Sequence, residues 1–262
     1  MRNLYAIYRK EMGHYFLSPV AYIVVGIFLV LTGFFFNLSL GAIIRASLEE
    51  SMQSMQFGMA PHLDVPSLVM RSFFGITGSL LLFMTPWLTM GVYAEERKRG
   101  TMELLMTSPV ADWQVVLGKF LASLSLFLIM LLPTIFYAVY LFSHSDPAPP
   151  WKLLLSGYLG VLLLGSVLLA IGSFASSLTE NQLIAAVVTF GILLILWVID
   201  FGARGATSGT GALLQYLSLT RHYDDFTRGI VDTSSLIFYL SFTAFGIFLT
   251  LRAVDSMRWR RA

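Results

Sequence analysis

Long apolar runs separated by short polar intervals dominate the chain. A helix needs roughly 20 apolar residues to cross the hydrocarbon core of a bilayer. Six segments meet or approach that length, at about 20–40, 72–93, 115–142, 153–178, 183–201 and 234–251. The third is long enough to tilt or to project. Backbone amides in lipid must be paired within the segment, so each run is predicted to be a helix. The pattern lacks the ten-residue alternation of an outer-membrane barrel. Pro86 and Pro133 are expected to kink the second and third spans, since each removes a helix hydrogen bond.

Residues 2–16 carry a different pattern. At 100° per residue, Leu4, Tyr5, Tyr8, Met12, Tyr15 and Phe16 share one side, and Arg9, Lys10 and His14 another. Ile7 and Glu11 blur the boundary. This reads as an amphipathic helix lying in the membrane interface, ended by Ser18-Pro19. The first apolar run is too long for a cleaved signal peptide, lacks a small-residue cleavage site and follows this helix.

Composition agrees with the pattern. Apolar residues make up 56% of the 262, charged residues 12%, and mean hydropathy is +0.75. A soluble domain carries about twice that charge, roughly 25%. Soluble and disordered classes are therefore excluded. A net charge of +2 gives no footprint for nucleic acid, and the absence of cysteine removes disulfides, thiolate metal sites and cysteine catalysis. Six spans place both termini on one side. Of the 17 basic residues, 11 fall on the side of the termini and six on the other, so both termini are expected in the cytoplasm.

The densest charge lies between the second and third runs, over 94–112. Glu95, Glu96, Arg97, Lys98 and Arg99 are followed by Gly100, which tolerates backbone conformations that other residues resist. Thr101 is a candidate N-cap, with Glu103 near the positive end of the helix dipole. Leu104, Leu105 and Met106 then supply an apolar surface, Ser108-Pro109 stops the helix, and Asp112 is placed to cap the next. Apolar residues rimmed by charge mark a contact site.

The string Glu95-Glu96-Arg97-x-x-Gly100-Thr101-x-Glu103-x-Leu105, with Ser108-Pro109 and Gly118-Lys119, resembles the segment after the second span of ABC-2 type transporter permeases. Arg9-Lys10-Glu11 and Ser18-Pro19-Val20-Ala21-Tyr22 are most similar to the gliding-motility-associated (GldF-like) permeases. The resemblance implies an all-α integral membrane fold: six transmembrane helices, an N-terminal interfacial helix and a cytoplasmic coupling helix, forming one transmembrane domain over 1–262. It implies a permease subunit, an exporter, in a bacterial-type inner membrane. Its partners would be two ATP-binding subunits, a second permease chain (the same or a paralogue), the lipid bilayer and an auxiliary periplasmic or membrane protein. Glu95, Glu96, Arg97, Lys98, Arg99, Gly100, Thr101, Glu103, Leu104 and Leu105 would meet the ATPase, with Arg9, Lys10 and Glu11 as a secondary contact with ATPase or membrane. The chain has no Gly-x-x-x-x-Gly-Lys-Ser/Thr phosphate loop, so ATP and Mg would be bound by the partner and no cofactor by this chain.

Two alternatives stay open beside this. A mechanotransmitting or scaffolding subunit would carry the same loop. An ion-coupled transporter normally needs charges within its spans, and the middles of these six carry none. A hydrolase is not supported: His14, His62, His144 and His222 stand apart, without a His-Glu-x-x-His or Gly-x-Ser-x-Gly motif.

The outer loops are expected over about 41–71 and 202–233. In the first, Leu48, Met52, Met55 and Met59 form one helical stripe, read as packing rather than as a copper(I) site. In the second, a Gly-rich stretch at 202–211 is flexible by composition, and 213–219 is apolar enough to dip into the interface. His222, Asp224 and Asp225 are read as an ordinary solvated turn in preference to a metal or headgroup site. The small pairs Ser166/Ala170, Gly172/Ser176 and Ser173/Ser177 in the fourth span let helices approach closely, in a bundle or a dimer.

Overall fold

In a computed structural model of the chain, every element among the described residues is helical. The structure describes residues 2–57, 64–107, 110–204, 216 and 218–259. The elements are α1 (Arg2–Leu17), α2 (Pro19–Phe57), α3 (Val65–Thr89), α4 (Ala94–Lys98), α5 (Thr101–Thr107), α6 (Asp112–Leu131), a 3-10 turn (Leu132–Thr134), α7 (Ile135–His144), α8 (Trp151–Ser177), α9 (Gln182–Arg204), α10 (Leu219–Thr227) and α11 (Thr233–Trp259). Six helical units are long and apolar enough to cross a membrane: those beginning with α2, α3, α6, α8, α9 and α11.

The axis of the bundle is α8, which packs against α3, α6, α9, α10 and α11. Its small residues make this possible. A Cβ added at Gly172 would lie 2.2 Å from Thr89 Oγ1, at Gly165 2.3 Å from Phe127, and at Gly157 2.1 Å from Phe74. Gly246 of α11 faces Ala170 in the same way, at 2.8 Å. The small residues of the fourth span are thus used inside this chain, where backbones meet.

The two prolines differ in what they do to the helix. Pro133 falls in the 3-10 turn that separates α6 from α7, and Pro86 lies inside α3. Ser18 alone separates α1 from α2, which opens on Pro19.

The helical stripe expected in the first outer segment is present, as a direct continuation of α2. α2 does not stop near residue 40; it runs 39 residues to Phe57. At about 1.5 Å per residue such a helix spans about 58 Å, roughly twice the hydrocarbon thickness. No proline or glycine follows Gly41 in this helix, so nothing in its sequence breaks it. Its methionine stripe does not pack against the described residues: Met52 is 69% and Met55 82% exposed, while Met59 lies outside them. α3 begins at Val65, seven residues before the expected span, because Asp64 accepts from Ser67 N at 3.3 Å and Pro66 suits the first turn.

The second outer segment also differs. His222, Asp224 and Asp225 are not in a solvated turn but on α10, capped by Ser218, which accepts from Arg221 N at 3.2 Å. His222, Tyr223 and Phe226 are buried. Tyr223 donates to the Phe74 carbonyl at 2.6 Å, and Tyr239 of α11 to that of Leu219 at 2.6 Å. The glycine-rich 205–211 stretch, and all of 213–219 except Tyr216, Ser218 and Leu219, lie outside the described residues.

Candidate coupling surface

At the end of the bundle where α3 finishes, the chain turns through Met90 to Tyr93 into α4. Ser176 of α8 organises this turn: its hydroxyl accepts from Tyr93 N at 3.1 Å and Ala94 N at 3.2 Å, and donates to the Met90 carbonyl at 3.0 Å. A carbonyl left over by the end of α3 and the first amides of α4 are thereby satisfied. Arg97 adds a second tie, donating to the Ser177 carbonyl at 2.7 Å and to Glu180 at 3.3 Å.

Gly100 separates α4 from α5 with φ +70°, the left-handed conformation that only glycine adopts without cost. Gly100 N donates to the Arg97 carbonyl at 3.1 Å, and its own carbonyl accepts from Glu103 N at 3.3 Å. Thr101 is the first residue of α5 rather than the residue before it, and its hydroxyl donates to the Glu96 carbonyl at 3.3 Å. Asp112 likewise falls within the first turn of α6, with Ala111 at the N-cap position.

α5 is anchored by a residue that sequence reasoning passed over. Met102 is buried with Val92, Tyr93, Val116 and Val254, and Leu105 packs half-buried against the same cluster. Leu105 therefore faces inward. The side chains of Leu104 and Met106, and the whole of Ser108 and Pro109, lie outside the described residues. Val254 belongs to α11, so the last helix ends beside α5 and the entry to α6.

The acidic residues of α4 point two ways. Glu95 pairs with Arg99 one turn on and lies 3.9 Å from His14. Glu96 faces into the bundle. Lys119, two turns into α6 and 1% exposed, places its ammonium 2.9 Å from Glu96 Oε2, 2.9 Å from Glu11 Oε1 and 2.9 Å from the Val92 carbonyl. It also lies over the Tyr93 ring, 5.4 Å from the centroid. Lys10 closes the network by donating to Glu96 Oε1 at 2.6 Å. One buried cation with two carboxylates and an outer lysine is a charge-balanced group, and it joins α1, α4 and α6.

The neighbours set the ionisation of the exposed end of this network. Burial would raise the Glu96 carboxyl, but the Lys119 charge and hydrogen bonds from Lys10 and Lys119 hold it below its usual range. Burial would lower Lys10, but its hydrogen bond to Glu96 and the charges of Glu96 and Glu11 keep it above its ordinary value.

α1 is therefore more than an interfacial helix. It packs on α6 through Ile7 and Glu11, the two positions at which its amphipathic pattern is blurred. A Cβ at Gly118 would meet Ile7 Cγ2 at 2.9 Å, so Gly118-Lys119 forms both the seat and the charge for α1. Tyr8 donates to Ser125 at 3.1 Å, and Tyr15 bonds Ser123 at 2.9 Å. Of the three residues expected at a secondary contact, Glu11 is buried while Arg9 and Lys10 are exposed.

What remains outward on α4 and α5 is Lys98, Arg99, Gly100, Thr101 and Glu103. Beside them lies a groove of about 460 Å³ between α5, the end of α8 and α11, bounded by Arg97, Met102, Leu178, Glu180 and Met257. Its walls are partly apolar and carry charge of both signs. Among the described residues no group of three or more His, Cys, Asp or Glu is placed to hold a metal.

A family model described as ABC-2 family transporter protein matches residues 5–254. The chain belongs to this family of membrane subunits, which generally work with an ABC ATPase partner in a lipid bilayer and are generally not catalytic themselves. No curated protein matches the chain.

Proposed function

We propose that this chain is the permease subunit of an ATP-driven exporter, coupled through α4 and α5 to a separate ATP-binding subunit. The observation that carries this is the two-sided construction of α4. Lys98, Arg99 and the Gly100 corner face outward, while Glu96 and Arg97 clamp the same short helix to α1, α6 and α8. A push on the outward side is transmitted to three helices without slack, because the clamp consists of direct hydrogen bonds and ion pairs.

In this reading α4, α5 and both termini lie in the cytoplasm, and the membrane is a bacterial-type inner membrane. Two ATPase copies, holding ATP and Mg, serve this chain and a second permease chain. The opening residues Arg9-Lys10-Glu11 and Ser18-Pro19-Val20 favour a GldF-like relative within the family. A mechanotransmitting role has one observation of its own: α2 continues past the apolar run as an arm with exposed Met52 and Met55.

The test is affinity purification of the tagged chain after crosslinking, with mass spectrometry and an ATPase assay on the product. Lys98→Glu with Arg99→Glu is expected to lose the co-purifying ATPase while the permease remains monodisperse. Retention of a fully active ATPase by that variant, or recovery of none by the unaltered chain, would remove the assignment.

A further inference from the structure

At the other end of α3, between α2, α3, α8, α9 and α10, lies a cavity of about 620 Å³, within the size range of small-molecule sites. One face of α3 lines it from end to end with Leu68, Arg71, Ser72, Gly75, Ser79 and Leu82. That stripe follows helical spacing, and from Arg71 to Leu82 it covers about 16 Å of axis. Its character changes with depth. Along α3, Leu68, Arg71 and Ser72 line one end, Gly75 and Ser79 the middle and Leu82 the other, with Leu164 of α8 also in the wall.

Two observations fix the level of the charged end. The Ser39 and Ser72 hydroxyls are hydrogen-bonded at 3.0 Å, which sets Arg71 beside the last residues of the apolar run of α2. The next charge along α2 is Arg45. Arg71 therefore sits where the apolar layer gives way to water, and Leu82 sits inside that layer.

Charge at the site is unbalanced. Arg71 has no ion-pair or hydrogen-bond partner among the described residues. Asp224 also lines the cavity, but it already accepts from Arg228 Nε at 2.9 Å. The space is real, since a Cβ added at Gly75 would meet nothing within 4 Å.

We propose that this cavity seats an anionic phospholipid, with the phosphate on Arg71 and one acyl chain running along α3 toward Leu82 and Leu164. A guanidinium offers a phosphate two parallel donors, and the pairing is strongest at a partly dry site. A zwitterionic lipid brings its own cation beside Arg71, which offsets much of the attraction between the guanidinium and its phosphate. The site stands on its own geometry and does not depend on ATPase docking.

Trp197 lines the cavity and supplies the probe. A variant keeping Trp197, with the other tryptophans changed to Phe, is reconstituted in phosphatidylcholine vesicles. Its fluorescence is quenched with chain-brominated phosphatidylglycerol or chain-brominated phosphatidylcholine at equal mole fraction. The anionic lipid should associate roughly tenfold more strongly, because only the zwitterionic headgroup sets a cation of its own against Arg71. Arg71→Gln should bring the ratio to about one, Arg71→Lys should keep part of it, and Gly75→Leu should abolish it with all charges intact. Equal quenching by both lipids would overturn the proposal, as would a preference that survives Arg71→Gln or Gly75→Leu. Binding of inorganic phosphate at Arg71 with no quenching by either brominated lipid would show an anion site without a chain, which also overturns it. If Arg71→Gln fails to fold, the Lys and Gly75→Leu variants decide the matter.

Discussion

Lys119 on α6 and Glu96 on α4 meet at 2.9 Å inside the protein, and the same ammonium holds Glu11 of α1 at the same distance. Removing one member of a buried charged group leaves the others unpaired, at a typical cost of about 3–5 kcal/mol. Lys119→Met should therefore lower the apparent melting temperature sharply, read by fluorescence-detected size exclusion in detergent. Changing Glu11 and Glu96 to Gln in the same chain should recover much of the loss, since no carboxylate then stays buried without its cation. A single variant as stable as the parent would show that the network does not hold α1 in place.

Gly100 tests the corner between α4 and α5. A β-branched residue at φ +70° is strained by about 1–2 kcal/mol or more, whatever the free space around it. Gly100→Val should uncouple or release the ATPase, while Gly100→Asn, which tolerates this conformation, should keep it. Co-purification of the two variants side by side is the check, and equal behaviour would leave the corner without a role.

Two glycines on different helices should respond in opposite directions. Gly172→Ala places a Cβ 2.2 Å from Thr89 Oγ1, an overpacking that typically costs about 1–3 kcal/mol. Gly13→Ala in α1 meets nothing within 4 Å and should gain up to about 1 kcal/mol of helix propensity. Thermal stability of the purified variants would reveal whether α8 and α3 meet as closely as described.

His222 is bonded at both nitrogens, to Ser235 Oγ at 2.9 Å and to the Tyr216 carbonyl at 3.0 Å, and its ring stacks on Phe238. Its partners are a hydroxyl and a carbonyl, so its role is to fasten α10 to α11. His222→Ala should cost about 1–3 kcal/mol by leaving buried polar groups unpaired. Chelators should leave the melting temperature of the parent unchanged; a fall on chelation would restore the metal reading.

The amino-acid pattern alone determined the helical class, the six crossings, the interruption at Pro133 and the corner at Gly100. Each of these is local. A run of apolar residues in lipid has no partner for its amides except itself, and a glycine or proline acts through its own backbone. Local pattern also led to errors where a long-range contact or an absent break decided the outcome. α2 outran its apolar segment because helix continues until something stops it, and Arg45, Glu49 and Glu50 do not. His222 and Asp224 suggested a solvated turn because their polarity was legible, while Tyr223 and Phe226, buried against α3 and α8, were read without partners.

Only tertiary structure decided which charges are working contacts between helices. Glu11 on α1, Glu96 on α4 and Lys119 on α6 belong to separate segments, and the sequence marks Glu11 and Glu96 as outward contacts and Lys119 as part of a motif without pairing them. Their pairing depends on Gly118 admitting Ile7 and on Ser176 setting the turn into α4. Ser176 could be seen in the sequence as a small residue four from Gly172, but not as the group that satisfies three backbone atoms at once. Spacing along a chain gives a face of a helix; what that face meets is fixed by the packing of all the others.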